Sequence, residues 1–251
     1  MNFRGKTAIV TGAGSAKGIG RDTALMLAEF GANVVVADMD LAGAKERVKE
    51  IEALGAKGLA VQTDVTDEAS VESLTRKAIS EFGTIDVLVN NAGITQPIKT
   101  IDMTTADFNR IINVNLTGTF IVTKAVMKEM MNAKYGRIVN MSSVSAKRGG
   151  GVFGGSHYSA AKAGVLGFSK ALAREVMEYN ITVNSVCPGA VDTEIRKGIS
   201  DEKERAIVEG VPMKRLATTR EIAYSICFLA TEEAGYITGE DIDINGGSHM
   251  D

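Results

Sequence analysis

The feature that most constrains this chain is a regular alternation, in which short runs rich in Val and Ile are each followed by a longer segment whose apolar residues recur at helical spacing. Such a pattern builds βαβ units, because a parallel strand needs a crossover before its neighbour can pair. The spacing predicts strands at Lys6–Val10, Asn33–Ala37, Gly58–Thr63, Ile85–Asn90, Gly136–Met141, Ile181–Val186 and Asp241–Ile244. Runs so rich in β-branched residues suit strands buried on both faces. Between them, Leu41, Ala44, Val48, Ile51 and Leu54, and then Val71, Leu74, Ala78, Ile79 and Phe82, each form one apolar helix face. The prediction is a single α/β domain over residues 1–251: a doubly wound, seven-stranded parallel sheet with helices on both faces. A long helical pattern from about Ala106 to Met131 carries Gly118, which is expected to mark a bend or a close approach.

Composition excludes several classes. With 45% hydrophobic and 24% charged residues the chain can bury a core and keep a soluble surface. A net charge of -3 gives no general attraction to nucleic acid or to an anionic membrane, so neither is expected as a partner. Arg4 and Lys6 could imitate the basic start of a signal peptide, but the apolar run after them stops at Thr11-Gly12. Cys187 and Cys227 lack metal-site or CxxC spacing and read as reduced, buried thiols, which points to the cytoplasm and to no metal.

The first strand runs into Thr11-Gly12-Ala13-Gly14-Ser15-Ala16-Lys17-Gly18-Ile19-Gly20 and then a helix. Strand, glycine loop and helix in that order suit a dinucleotide diphosphate, because glycines let backbone N–H groups approach and the helix N-terminus is partly positive. The second strand ends at Asp38, whose carboxylate would accept hydrogen bonds from ribose hydroxyls and repel a 2'-phosphate. NAD is therefore expected over NADP, with Lys17 and Arg21 as the residues that could argue otherwise; Asp38 or Asp40 could also simply cap the next helix. Asp64 and Val65 end the third strand where an adenine edge would pass, although Asp64 is also a candidate cap. The fourth ends in Asn90-Asn91-Ala92-Gly93, small enough for a cofactor to pass close to the backbone.

Tyr158 and Lys162 are four apart in an apolar-periodic segment and so share a helix face. A phenol titrates near pH 10 and is a poor base at neutral pH unless a fixed cation stabilises its phenolate. Lys162 is the expected cation. Ser142 and Ser143 close the fifth strand, where a hydroxyl would meet a substrate oxygen, and Asn115 is a candidate for holding a water or a backbone carbonyl in a proton relay.

These residues give the chain a family resemblance. It is similar to the short-chain dehydrogenase/reductase family, of the single-domain type, from the first strand through Ile242-Asp243-Ile244-Asn245-Gly246-Gly247. The resemblance implies a Rossmann-like fold, commonly a homotetramer, with Asn115, Ser143, Tyr158 and Lys162 as the catalytic set. It further implies a cofactor site formed by Gly12, Ser15, Gly18, Ile19, Asp38, Asp64, Val65, Asn90, Ala92, Gly93, Tyr158, Lys162, Pro188, Gly189, Val191 and Thr193. Two departures stand out. The family loop reads Thr-Gly-x-x-x-Gly-x-Gly, whereas here it is two residues longer, and the stretch from Ser143 to Tyr158 is long and rich in glycine.

The candidate substrate contacts are Ser145, Arg148, Phe153, His157 and Arg196. Lys147, Arg148, Arg196 and Lys197 form a set of cations from which an anionic substrate could draw partners, unless they are merely solvated loop charges. The leading expectation is an NAD(H)-dependent oxidoreductase that interconverts a secondary alcohol, such as a polyol or sugar-derived compound, and its ketone. One alternative is a 3-oxoacyl-thioester reductase using NADPH; another, of a different class, is a catalytically silent dinucleotide sensor. Small residues at Ala160, Ala161, Ala163, Gly164 and Gly167 would allow close helix contact in an oligomer.

Overall fold

A computed structural model describes every residue except Val152, Lys197 and Asp251. Its strands are β1 (Thr7–Thr11), β2 (Asn33–Asp38), β3 (Gly58–Gln62), β4 (Val87–Asn90), β5 (Gly136–Met141), β6 (Ile181–Pro188) and β7 (Asp241–Ile244). They form one parallel sheet in the order β3-β2-β1-β4-β5-β6-β7. The order reverses between β1 and β4, which opens a crevice at the carboxyl ends of those strands, the place where doubly wound sheets bind ligands.

The strand sequences show why both faces are covered. Ala8, Val10, Val34, Val36, Val87 and Val89 point into one apolar layer, while Ile9, Val35 and Leu88 point into the other, as the two-residue period of a strand requires. The first layer is completed by α1 (Ile19–Glu29), α2 (Leu41–Ala53) and α9 (Thr219–Leu229), the second by α3 (Glu68–Phe82), α5 (Gly118–Ala133) and α7 (Ser156–Val176). Each fully buried Leu or Ile side chain here stabilises the fold by roughly 1.5–3 kcal/mol. Polar residues set the helix starts: the Asp67 carboxylate accepts from the Ala69 and Ser70 N–H groups, and Thr218 with Glu221 forms a capping box. No helix among the described residues is long and apolar enough to cross a membrane.

The long helix expected around Gly118 is divided. Thr105–Ile112 (α4) passes through one π turn at Asn113–Thr117 before α5 begins. The wider turn presents Asn115 inward, where its Nδ2 donates to the carbonyls of Ile111 at 2.9 Å and Ile94 at 2.8 Å. Gly118 is a site of close approach: a Cβ there would stand 2.8 Å from a methyl carbon of Val65.

Candidate active site

The crevice is held open by polar bonds between strand ends. Thr11 Oγ1 accepts from the N–H groups of Asn91 and Ala92 at 3.1 and 3.0 Å, and Asn91 Nδ2 donates back to the carbonyls of Thr11 and Gly12 at 2.9 and 2.8 Å. Gly12 has φ +64, and a Cβ there would lie 2.7 Å from Ala92 Cα, so glycine is required twice over. Helix α1 follows, with Gly18 at its N-cap and no side chain capping it. Its first N–H groups are thereby left for a ligand at the partly positive helix end.

Asp38 stands at the outer end of the crevice. Its Oδ2 accepts from the Gly14 N–H at 2.8 Å and its Oδ1 from the Asp40 N–H at 2.9 Å, while Asp40 caps α2. The capping role thus falls to Asp40. Neither cation that could have favoured a 2'-phosphate stands alone, since Lys17 pairs with Asp192 at 2.6 Å and Arg21 with Glu50 at 3.0 Å.

Two expected cofactor contacts are displaced. Asp64 turns its carboxylate to the N–H and hydroxyl of Thr66, and the neighbouring Thr63 and Val65 line the crevice in its stead. Asn90 is buried a layer behind, where its amide donates to Thr123 Oγ1 and Asn140 Oδ1, both at 2.8 Å. Asn91, Ala92 and Gly93 face the cavity.

The groups expected to handle the proton converge where β5 meets α7. Ser142 is buried and donates to the Lys162 carbonyl at 2.9 Å, tying the helix to the strand. Ser143, the next residue, turns the other way: it caps the short helix α6 (Val144–Arg148) and faces the Tyr158 hydroxyl. Burial holds the Tyr158 phenol above its ordinary value, with the Ser143 hydroxyl pulling weakly the other way, so at neutral pH it carries its proton. Lys162 is almost wholly buried, and burial pushes it down to about 8, with the neighbouring Cys187 opposing. Its Nζ donates to the Met141 carbonyl at 2.7 Å and lies 5.8 Å from the centre of the Tyr158 ring. The expected cation therefore stands over the phenol ring, while burial holds the phenol up. Asn115 completes the group: its Oδ1 is buried without a partner, and a Cβ on Gly93 would stand 2.6 Å from that oxygen and 3.5 Å from Lys162 Nζ.

The substrate end departs most from expectation. Arg196 is 8% exposed, pairs with Glu204 at 2.7 Å and lies 5.2 Å above the Phe153 ring, so it braces the wall. Lys147 pairs with Asp243 at 2.9 Å, Arg148 reaches the Ser248 carbonyl, and Lys197 lies outside the described residues. His157 is fully buried, packs beside Gly155 and accepts the Tyr158 N–H on Nδ1 at 2.9 Å. It packs against the loop and does not line the cavity. Ser145, Arg148, Phe153 and Arg196 all line the cavity. The sequence reading missed the apolar wall of Ile94, Ile195, Ile207 and Val211, partly supplied by α8 (Asp201–Glu209) and the segments flanking it.

A single cavity of about 880 Å³ runs from Asp38, Met39 and Val65 past Gly12, Ser15, Gly18 and Ile19 to Pro188, Gly189, Val191 and Thr193, and on to Ser143, Tyr158 and Lys162. Its glycine floor, uncapped helix end, outer carboxylate and unpartnered Asn115 oxygen fit a nicotinamide dinucleotide. Among the described residues no group of three or more His, Cys, Asp or Glu is placed to hold a metal ion.

Comparison with known proteins agrees with this geometry. A family model described as enoyl-(acyl carrier protein) reductase matches residues 12–249. The chain is 45% identical over 250 residues to an uncharacterized short-chain type dehydrogenase/reductase of Sinorhizobium fredii, covering 98% of each chain. It is 46% identical to the 3-oxoacyl-[acyl-carrier-protein] reductase FabG of Escherichia coli over 100% of both chains, and 41% identical to the protein of that name from Haemophilus influenzae over 99% and 100%. Fold, site and these likenesses together show that the chain belongs to the short-chain dehydrogenase/reductase family and is an oxidoreductase.

Proposed function

We propose that this protein reduces the 3-oxo group of an acyl thioester to a secondary alcohol, with NADH as reductant. The observation that carries the substrate class is the wall around Tyr158. Val144, Phe153, Ile195, Ile207 and Val211 offer an acyl chain apolar contact, whereas the many hydroxyls of a polyol would find few partners there. The pairing of Arg196 and Lys147 removes the main support for an anionic sugar derivative. Relatives carrying the name 3-oxoacyl-[acyl-carrier-protein] reductase support the same class. The choice of NADH rests on Asp38 and on the paired state of Lys17 and Arg21.

When bound, the dinucleotide supplies a hydride to the carbonyl carbon and is oxidised as the ketone is reduced. The chain handles the oxygen. Tyr158, protonated at neutral pH, donates its proton to the developing alkoxide, and the Ser143 hydroxyl hydrogen-bonds that oxygen. Lys162, still largely charged at pH 7, offsets the negative charge left on the phenolate. Asn115 fixes the π turn beside it and offers an acceptor oxygen that can hold a water through which the proton is returned.

A second reading, an NAD-dependent dehydrogenase of a small secondary alcohol, is favoured by the same Asp38. An acetoacetyl thioester assayed with NADH and NADPH, against polyols and sugar acids with NAD, separates the two. Thioester reduction at least tenfold faster than turnover of any alcohol is expected. The reverse order would establish the second reading, and no turnover of either would point to a sensor. The exposed small residues Ala160, Ala163 and Gly167 on α7 support a homo-oligomer, testable by light scattering. The two buried free thiols support the cytoplasm as its working place.

A further inference from the structure

Within the lengthened glycine loop, Ala16 and Lys17 are exposed while the stretch at Gly14 and Ser15 is docked against the protein. Gly14 is buried, and its N–H donates to Asp38 Oδ2; a Cβ on Gly14 would stand 2.9 Å from Asp38 Cγ and 3.0 Å from that same oxygen. Helix α2 leaves a slot for the loop, since a Cβ on Gly43 would lie 2.6 Å from the Gly14 carbonyl oxygen. One residue on, the Ser15 carbonyl accepts from Arg47 Nη1 at 3.1 Å. Arg47 Nε is also 3.1 Å from Glu50, the carboxylate that holds Arg21.

We propose that this docked insert sets the dinucleotide preference of the site, with Gly14 and Arg47 as specificity-determining residues that act through Asp38. A carboxylate has about four acceptor positions. The Gly14 and Asp40 N–H groups take one on each oxygen, fixing the rotamer and leaving one on each for the two hydroxyls of a ribose. The same docking commits Arg21 and Arg47 to Glu50 and Ser15, so the guanidinium groups that would grip a 2'-phosphate are held by partners of their own. Asp38 alone would repel the phosphate; the insert keeps it aimed and keeps its natural antagonists occupied. The inference rests on the NADH reading above.

Direct binding tests it without turnover. The chain has no tryptophan, so the fluorescence of the reduced nicotinamide itself reports binding of NADH and NADPH cleanly. Dissociation constants are measured for the parent, Asp38→Ala, Gly14→Ala and Arg47→Met, with melting curves to confirm folding. Asp38→Ala and Gly14→Ala are each expected to weaken NADH about tenfold, the scale of one lost hydrogen bond to a charged group, and to reduce the NADH-over-NADPH preference. Arg47→Met, which removes the anchor of the insert, is expected to lower the preference about threefold. If Gly14→Ala and Arg47→Met fold and keep the parental preference while Asp38→Ala loses it, the insert has no such role and the proposal is overturned, with the NADH reading intact. A parent that prefers NADPH, or an Asp38→Ala variant with unchanged preference, overturns both.

Discussion

The wall of β5 and α7, to which we assign the proton, and the cap, to which we assign the substrate, are neighbours built in opposite ways. On the first, side chains bond to the frame itself: Ser142 to the Lys162 carbonyl, Lys162 to the Met141 carbonyl, and Asn140 and Ser185 both to Ser169 at 2.9 Å. The cap consists of a loop in which Gly149, Gly150 and Gly151 all have positive φ, together with α8, whose residues all stay at least partly exposed. Among the described residues its bonds run between neighbouring stretches of chain, such as Gly150 N–H to Ser159 Oγ and Arg196 to Glu204. Chemistry needs atoms fixed within a fraction of an ångström, so it sits on paired strand and packed helix; selectivity tolerates a softer wall. Changes on the proton wall should therefore act on turnover and changes in the cap on apparent affinity.

The largest effect is expected from Tyr158→Phe. The ring and its packing remain, while the hydroxyl assigned to give the proton is lost, so kcat should fall by about a hundredfold or more, the usual scale for general acid–base catalysis. Binding of NADH, followed by fluorescence, should change less than about threefold. A variant that retained a tenth of its turnover would break the assignment of the proton wall.

The next effect belongs to Lys162. With its ammonium pushed down to about 8, reductive turnover should bend downward above that pH and be about tenfold lower at pH 9 than at pH 7. Stability should move the other way. Between pH 8 and about 10.5 the unfolded chain keeps this proton while the folded chain sheds it, so Lys162 makes folding more favourable as pH rises through that window. Opposite slopes of activity and melting temperature would sharpen the picture of a buried charge kept for chemistry at a cost to stability. A flat activity profile from pH 7 to 9 would remove Lys162 from the proton step.

The two regions also differ in how legible they were in the sequence. All seven strands lie within about two residues of their predicted bounds, and Tyr158 with Lys162 was readable because helical period is local information. The sequence says least where adjacent residues point opposite ways. Ser142 and Ser143, Asn90 and Asn91, and Asp64 and Val65 are each a pair at or beyond a strand end, where the period of two breaks down and a shift of one residue exchanges a frame contact for a cavity contact. The cap was least legible, since the partners of Arg196 and Lys147 lie at Glu204 and Asp243, and only the folded chain brings Asp243 to Lys147.

Its bond to Glu204 makes Arg196 the finest test of the comparison. Arg196→Ala would leave Glu204 unpaired and uncover the Phe153 ring, loosening the cap without touching the β5–α7 frame. Losing an interaction of about 1 kcal/mol, the thioester KM should rise about fivefold, while kcat stays within about a factor of two. Because Arg196 already has a carboxylate partner, the KM penalty should be the same for anionic and neutral thioesters of equal chain length. A penalty confined to anionic substrates would return Arg196 to the role of a substrate clamp, and a loss confined to kcat would mean that the cap and the proton wall act as one unit.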